Sequence, residues 1–200
     1  SLMSAKHEIT RADILSIEQY GAARKQHRQA AIALKKNRRL EVGPLATFYF
    51  ENYDTMLAQI HEMLWIERGG EEQLADELAA YNPLVPKGQE LVATLMFEID
   101  DPVRRDGVLR RLGGVEDTIS IQIGDEIVRA EPDLQDGVER TKADGKTSSI
   151  HFLHFPFTPA QIDAFRSGET RALLAIEHDN YAHMAVIPAN VREALAKDFD

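Results

Sequence analysis

Polar side chains of the kinds that bind ligands or move protons collect where a predicted strand meets a predicted helix, near residue 52, and continue along that helix. Carboxylates can hold a divalent cation or act as general acids and bases. The same spacing also fits the solvent-exposed face of a helix, and charged residues on such a face need no functional explanation. The candidate ligand- or partner-binding residues are Glu51, Asn52, Asp54, Gln59, Glu62, Glu67 and Arg68.

The helix that carries most of these residues lacks the spacing of a zinc protease. Such a helix needs two histidines four residues apart around a glutamate, so that both imidazoles face one metal. His61 is followed by Glu62, but position 65 is Trp. Gln59 and Glu62 lie toward one side of the helix. A carboxylate-based enzyme, with or without a divalent ion, therefore stays an alternative to a binding protein.

Histidines in the second half of the chain do not predict a metal site either. His151 and His154 are three apart on a predicted strand, where alternation directs them to opposite faces. Glu177, His178 and His183 flank a predicted hairpin turn and could approach one another across the strands. Glu177 and His178 nevertheless point to opposite faces of a regular strand. We therefore predict no metal and no cofactor.

Composition excludes several classes of function. The chain has no cysteine, which rules out disulfides, thiolate metal sites, iron–sulfur ligation by this chain and cysteine catalysis. Gly69-Gly70 and Gly113-Gly114 read as helix ends, not as phosphate-binding loops. No apolar run approaches the ~20 residues of a membrane span. The first residues lack the apolar core of a signal peptide, so we expect a cytoplasmic protein.

Charge is unevenly distributed along the chain. The window from residue 21 to residue 40 contains seven cations and no acids. Since this window carries +7 and the whole chain −10, the remaining residues carry −17. We expect the basic window to pack near the chain's own acidic segment. Nucleic-acid binding through this helix is a third hypothesis, which the absence of interleaved aromatic residues disfavours.

The elements that position the candidate residues follow from hydrophobic periodicity. A helical segment is predicted over 9–38, with a thin, alanine-rich apolar stripe that packs on the body or on a second subunit. Alternation predicts a strand from Leu45 to Glu51, and Asn52 or Asp54 then caps a helix. A second helix follows the Gly-Gly pair. Residues 91–99 form a strand that is apolar on both faces, so we expect it to be covered on both sides.

Hairpins dominate the second half of the chain. Ile119, Ile121 and Ile123 alternate with polar residues, Gly124-Asp125 fits a hairpin turn, and two more antiparallel strands are predicted near residues 171–187. The pattern lacks regular βαβ alternation. It predicts a single α+β domain over 1–200: a largely antiparallel, or mixed, sheet with packed helices. Residues 1–2, which precede Met3, read as a cloning remnant.

Several segments resemble one uncharacterised bacterial family, domain of unknown function 3501 (DUF3501). The resemblance runs from about residue 9 to residue 199 and is most specific in the central segment. It rests on Asp13-Ile14-Leu15, Gly43-Pro44, Phe50-Glu51-Asn52, Asp54-Thr55, Gln59-Ile60, Glu62-Met63, Glu67-Arg68 and Tyr81-Asn82. Members of this family tend to be encoded near rubrerythrin-like and iron–sulfur electron-transfer proteins. The resemblance therefore implies an accessory role, with a protein partner of that type, in redox or oxidative-stress metabolism, and no assigned activity.

Three hypotheses follow. The first is a cytoplasmic accessory or binding protein, homo-oligomeric, whose polar residues around position 52 line a pocket or a partner surface. The second is the carboxylate-based enzyme. The third is a nucleic-acid-binding protein that uses the basic helix.

Overall fold

The structure is a computed structural model that describes residues 6–133 and 140–200, so the predicted cloning remnant at residues 1–2 lies outside the described residues. The helices are α1 (Ile17–Lys36), α2 (Tyr53–Glu67), α3 (Gly70–Tyr81), α4 (Pro102–Arg110), α5 (Pro159–Ser167) and α6 (Ala189–Ala196). The strands are β1 (Arg39–Val42), β2 (Ala46–Glu51), β3 (Glu90–Phe97), β4 (Ile119–Ile123), β5 (Glu126–Arg129), β6 (Glu131–Pro132), β7 (Ile150–Pro156), β8 (Ala172–His178) and β9 (Tyr181–Val186). Short 3-10 turns occupy Arg11–Asp13, Asn82–Leu84 and Val115–Asp117.

The strands form two antiparallel sheets. Sheet A has the order β1-β2-β3-β7-β6, and sheet B has the order β5-β4-β8-β9. This confirms the predicted α+β class, although one sheet was expected. Alternation assigns the faces of a strand but not its neighbours, and the segment containing α4 carries the chain from one sheet to the other. Within the described residues, no helix is long and apolar enough to cross a membrane.

The main core lies between the two sheets. Sheet A contributes Phe48, Phe50 and Phe155, and sheet B contributes Ile121 and Leu174, all of them fully buried. A dense aliphatic and aromatic interior of this kind supplies most of the stabilisation of a domain. The two sheets and their core therefore form the rigid body on which the helices are placed.

A second cluster covers the outer face of sheet A. Met56, Ile60 and Leu64 of α2 pack with Leu74 of α3 against Val92 of β3. These α2 residues follow the helical repeat predicted for a buried stripe. Because Leu91 and Val92 are both fully buried, β3 is covered on both faces, as its sequence indicated.

Local capping fixes the junction of β2 and α2. The Asn52 side chain accepts a hydrogen bond from the Thr55 amide (2.9 Å), and the Thr55 hydroxyl accepts one from the Asn52 amide (2.9 Å). This reciprocal pair satisfies two amides that the first helical turn leaves without backbone partners. The junction is thereby held in one conformation at the point where the candidate residues begin.

The N-terminal helix lies on the outside of the molecule. Ser16 and Gln19 form a capping box at its start. Of its 20 residues only Tyr20 is buried, and the helix packs on α2. An alanine-rich stripe lets the two helices approach closely but buries little area, so grooves remain between them.

Candidate functional site

A pocket of about 510 Å³, lined by charged, polar and apolar residues, opens at the junction of β2 and α2, and we call it the corner pocket. Its wall is built from five parts of the chain: the N-terminal segment, the end of α1, the start of α2, Pro86 before β3, and the end of α6 with the residues after it. The residues that give it its chemistry are Lys6, Asn37, Arg38, Asn52, Asp54, Lys197 and Asp198. A volume of this size is in the usual range for small-molecule sites.

The base of the corner pocket is an ion pair between Arg38 and Asp198. Both are buried, with 3% and 6% of their surface exposed. Arg38 also donates from Nε to the carbonyl oxygen of Phe50 (2.9 Å) and from a terminal nitrogen to that of Glu51 (3.3 Å). A third bond reaches the Ala194 carbonyl oxygen (3.4 Å). Arg38 therefore ties the end of β2 to α6, and its charge is already satisfied by protein groups.

Two carboxyl groups near this base, those of Asp198 and Glu51, have raised pKa values. Burial raises the pKa of Asp198 to about 6, even though Arg38 opposes the rise. Burial also raises the pKa of Glu51, whose Oε2 accepts a hydrogen bond from the Thr94 hydroxyl (2.8 Å). A buried carboxyl group that titrates near neutrality is suited to proton transfer. Asp198 lines the pocket directly, whereas the Glu51 side chain lies behind its wall.

The start of α2 forms another wall of the pocket. Lys6 is held there, because its ammonium group lies 5.1 Å from the centre of the Tyr53 ring. Burial, followed by a hydrogen bond to Asp13, raises the pKa of Tyr53 to about 12. Asp54 is exposed and lines both the corner pocket and a second groove.

The second groove, of about 530 Å³, runs between α1 and α2. Tyr20 stacks on His61 and on His27, with ring centres 4.9 and 5.4 Å apart. His61 Nε2 accepts a hydrogen bond from the Leu15 amide (3.0 Å), and burial lowers the pKa of His61. The imidazole is therefore neutral near pH 7, with its proton on Nδ1. The rest of the groove is largely aliphatic.

Glu62 of α2 joins the two helices beside this groove. Arg24 donates to both of its carboxylate oxygens (3.1 and 2.9 Å), and Tyr20 donates its hydroxyl proton to Oε2. The hydrogen bond from Arg24 lowers the pKa of Glu62, while burial raises that of Tyr20. Arg28 lies 4.0 Å away. The prediction that the basic window packs on the chain's own acidic segment is confirmed here.

The remaining candidates on α2 have other partners. Gln59 donates to the Tyr81 hydroxyl of α3 (3.4 Å), and Glu67 accepts from Gln73 (2.9 Å). Arg68 adopts a left-handed conformation (φ 55°) that ends the helix, and its guanidinium lies 4.2 Å from the centre of the Trp65 ring. The structure thus brings Asn52 and Asp54 into one pocket, with Glu51 behind it, and disperses the other four candidates along α2.

The histidines of the second half also separate, as strand alternation indicated for two of them. His151 is buried and donates to the Ser148 carbonyl oxygen (2.8 Å), whereas His154 lies between two carboxylates. His178 contacts the Gly113 carbonyl oxygen (2.8 Å), and His183 packs on Tyr181. The structure, over its described ranges 6–133 and 140–200, contains no cluster of three ligand-type side chains able to hold a metal ion.

Sequence reasoning missed Lys6, Asn37, Lys197 and Asp198. Arg38 was noted only as one charge in the basic window. Lys6 and Lys197 lie near opposite ends of the chain, and no local pattern marks either of them. Asp198 and Asp200 are close together in the sequence, and nothing in the sequence predicts that Asp198 is the buried one. Only the fold distinguishes the two acids.

These features define a class: an α+β protein of two antiparallel sheets, with a helical layer on one sheet and a polar pocket where a strand meets a helix. The chain belongs to the family described as "Protein of unknown function (DUF3501)", whose sequence model matches residues 8–199. The resemblance found in the sequence is confirmed. No curated protein matches the chain.

A solved structure extends the comparison. The crystal structure of a "novel protein of unknown function" from Burkholderia pseudomallei K96243 is 36% identical to this chain. The match covers 96% of this chain and 99% of the other, with a TM-score of 0.87. The family and its solved relative share this fold, and neither carries an assigned activity.

Proposed function

We propose that this protein is a binding protein and that the corner pocket binds a small molecule bearing an acidic group, a carboxylate or a phosphate. The observation that carries the proposal is the set of charged side chains that line the pocket without belonging to the buried ion pair at its base. Arg38 and Asp198 neutralise each other at the base. The charges left to meet a ligand are then those of Lys6, Lys197 and Asp54.

The electrostatics of the pocket favour an anion. Besides the neutral ion pair, two ammonium groups and one carboxylate line the pocket, so the lining carries a net positive charge on a chain whose net charge is −10. The first turn of α2 also lies at the pocket, and a helix N-terminus attracts negative charge. The side-chain oxygen of Asn52 is engaged as the helix cap, and its side-chain nitrogen can donate a hydrogen bond to a ligand.

Titration of the labelled protein with inorganic phosphate and with succinate, followed by amide NMR, tests the proposal. We expect chemical-shift changes at Tyr53, Asp54 and Lys197, and weaker binding by several-fold in Lys197→Gln. Lys25→Gln removes an exposed lysine on α1 that does not line the corner pocket, and it serves as the matched control. Shifts that avoid the pocket, or equal weakening in both variants, would contradict the proposal.

A protein partner remains a second proposal, and the exposure of α1 supports it. Of the 20 residues of this helix, only Tyr20 is buried. Ile32 on α1 and Ile66 at the end of α2 are 70% and 62% exposed. A rubrerythrin-like or iron–sulfur partner, and a cytoplasmic location, belong to this proposal. Affinity purification of the wild type and of Ile32→Glu from native cells would test this proposal. A redox protein is expected to co-purify with the wild type and to be lost from the eluate of the variant.

The other two hypotheses have narrower support. A carboxylate-based enzyme would use Asp198, because its pKa of about 6 suits a general acid or base at the pocket. Nucleic-acid binding has less in its favour, since Arg24 and Arg38 of the basic window are already engaged with Glu62 and Asp198.

A further inference from the structure

The two sheets differ in what covers their outer faces. Helices α2 and α3 pack on the outer face of sheet A and bury Val92 completely. On the outer face of sheet B, by contrast, Ile127, Met184 and Val186 are 47%, 51% and 51% exposed. An antiparallel sheet with one wet face ordinarily carries polar residues there. Apolar residues on such a face indicate a surface that is buried by another molecule.

Strand register places these apolar residues on one face of sheet B, on its two edge strands, with polar Gln122 of β4 between them. One row of paired residues crosses the whole sheet. It runs from Ile127 of β5 through Gln122 of β4 and Leu173 of β8 to Val186 of β9. In the adjacent row Ala175 pairs with Met184. Paired residues in neighbouring strands project to the same face. We call this four-stranded surface the sheet B face.

The charges of the sheet B face distinguish among partners. Among the paired residues of the four strands, two exposed ionic side chains share the face with the apolar residues: Arg129 in the row of Ala175 and Met184, and Glu177 two residues beyond Ala175. Their charges cancel, on a chain with net charge −10. Two copies of such a chain repel each other over most of their surface, and a neutral apolar face is where that repulsion is least. A strongly basic or acidic partner would find no complementary charge here.

We infer that the sheet B face binds a second copy of this chain, with the two faces packed against each other about a two-fold axis. A face that carries one cation and one anion is suited to self-association, because the same patch can supply both charges to its copy. Sheets packed face to face lie about 10 Å apart and interdigitate their side chains. The dimer thereby gives sheet B the second covered face that sheet A already has from its helices. This inference does not depend on the ligand proposed for the corner pocket.

Sedimentation equilibrium over a range of protein concentrations tests the inference. The wild-type protein is expected to dimerise, and Met184→Glu is expected to weaken the dimer at least tenfold by placing a charge among the exposed apolar residues of the face. Val103→Glu is the matched control, since Val103 is 82% exposed on α4 and away from the face. A monomeric wild type, or a dimer that responds equally to both variants or to neither, would overturn the inference.

Charge reversal provides a second test that does not rely on destabilising the apolar surface. Arg129→Glu gives the face a charge of −2 and Glu177→Arg gives it +2, so each variant alone should associate more weakly than wild type. An equimolar mixture of the two should restore association, because opposite faces then meet. Association of the mixture no stronger than that of either variant would also overturn the inference. Circular dichroism of each variant confirms that loss of the dimer is not loss of the fold.

Discussion

His154 is held between two carboxylates, and its charge should make the stability of this protein depend on pH above neutrality. Its Nδ1 lies 2.6 Å from Oε1 of Glu90, and its Nε2 lies 2.6 Å from Oδ2 of Asp133. Carboxylates only accept hydrogen bonds, so both ring nitrogens must carry protons. The side chain is therefore an imidazolium that joins the start of β3 to the segment after β6, across β7.

The sign and size of the effect follow from its pKa. Burial opposes the imidazolium, but the hydrogen bonds that it donates to Glu90 and Asp133 outweigh burial and raise the pKa of His154 from 6.5 to about 9. At 1.36 kcal/mol for each pKa unit, this rise corresponds to about 3 kcal/mol. The side chain is 22% exposed, so solvent screening reduces the figure and we expect about 2 kcal/mol. This stabilisation is fully present below pH 6.5 and is lost as the pH rises through 9.

Urea unfolding of the wild type and of His154→Gln between pH 6 and pH 9.5 measures the effect. The wild type should lose about 2 kcal/mol more than the variant over this range. His27→Gln removes an exposed histidine and should keep the wild-type pH dependence. If His154→Gln loses as much stability with pH as the wild type does, the imidazolium bridge does not contribute as the geometry indicates.

Three further changes test the corner pocket and its supports. Asn52→Ala removes the side-chain cap of α2 and should lower the free energy of unfolding by about 1 kcal/mol in urea unfolding. Asp198→Asn leaves the buried Arg38 guanidinium without its counter-charge and should cost about 3–5 kcal/mol, whereas Asp163→Asn, at an exposed position on α5, should change stability by less than about 0.5 kcal/mol. Glu62→Gln removes the charge that binds α1 to α2, and amide hydrogen exchange in the first half of α1 should become faster.

Each of these expectations has a contrary outcome. An Asn52→Ala variant as stable as the wild type would mean that water replaces the cap without cost. Equal effects of the two aspartate variants would mean that the Arg38–Asp198 pair contributes no more than a surface charge. Unchanged exchange in α1 after Glu62→Gln would mean that the aliphatic contacts of the groove hold the helix by themselves.

The sequence predicted those features whose cause is local. The strand with Leu91 and Val92 on opposite faces, and the buried stripe of α2, follow from periodicities that a few neighbouring residues set. Asn52 or Asp54 was predicted to cap α2, and Asn52 is the cap in the structure; the contact is local, because its partner Thr55 is three residues away. The predicted pairing of the basic window with the acidic segment needed only charge and proximity along the chain, and Arg24 with Glu62 fulfils it.

Features that depend on long-range contacts could not be predicted in the same way. Arg38 and Asp198 are 160 residues apart in the sequence, and nothing local distinguishes Arg38 from the exposed Arg39 beside it. The dispersal of Gln59, Glu67 and Arg68 has a similar origin. Gln59 and Glu67 lie on α2 and are engaged by α3, whereas Arg68, which ends the helix, turns back onto Trp65.

The two proposed surfaces lie on opposite sides of the molecule, and this separates their tests. The corner pocket is on the helical side of sheet A, where α1, α2 and the chain after α6 meet. The sheet B face points away from the core that lies between the sheets. Because rigid, closely packed sheets lie between them, Met184→Glu should leave phosphate binding unchanged, and Lys197→Gln should leave dimerisation unchanged. Coupling between the two would instead require a change in how α6 packs on the core, since α6 contributes both to the core, through Leu195, and to the pocket, through Ala194.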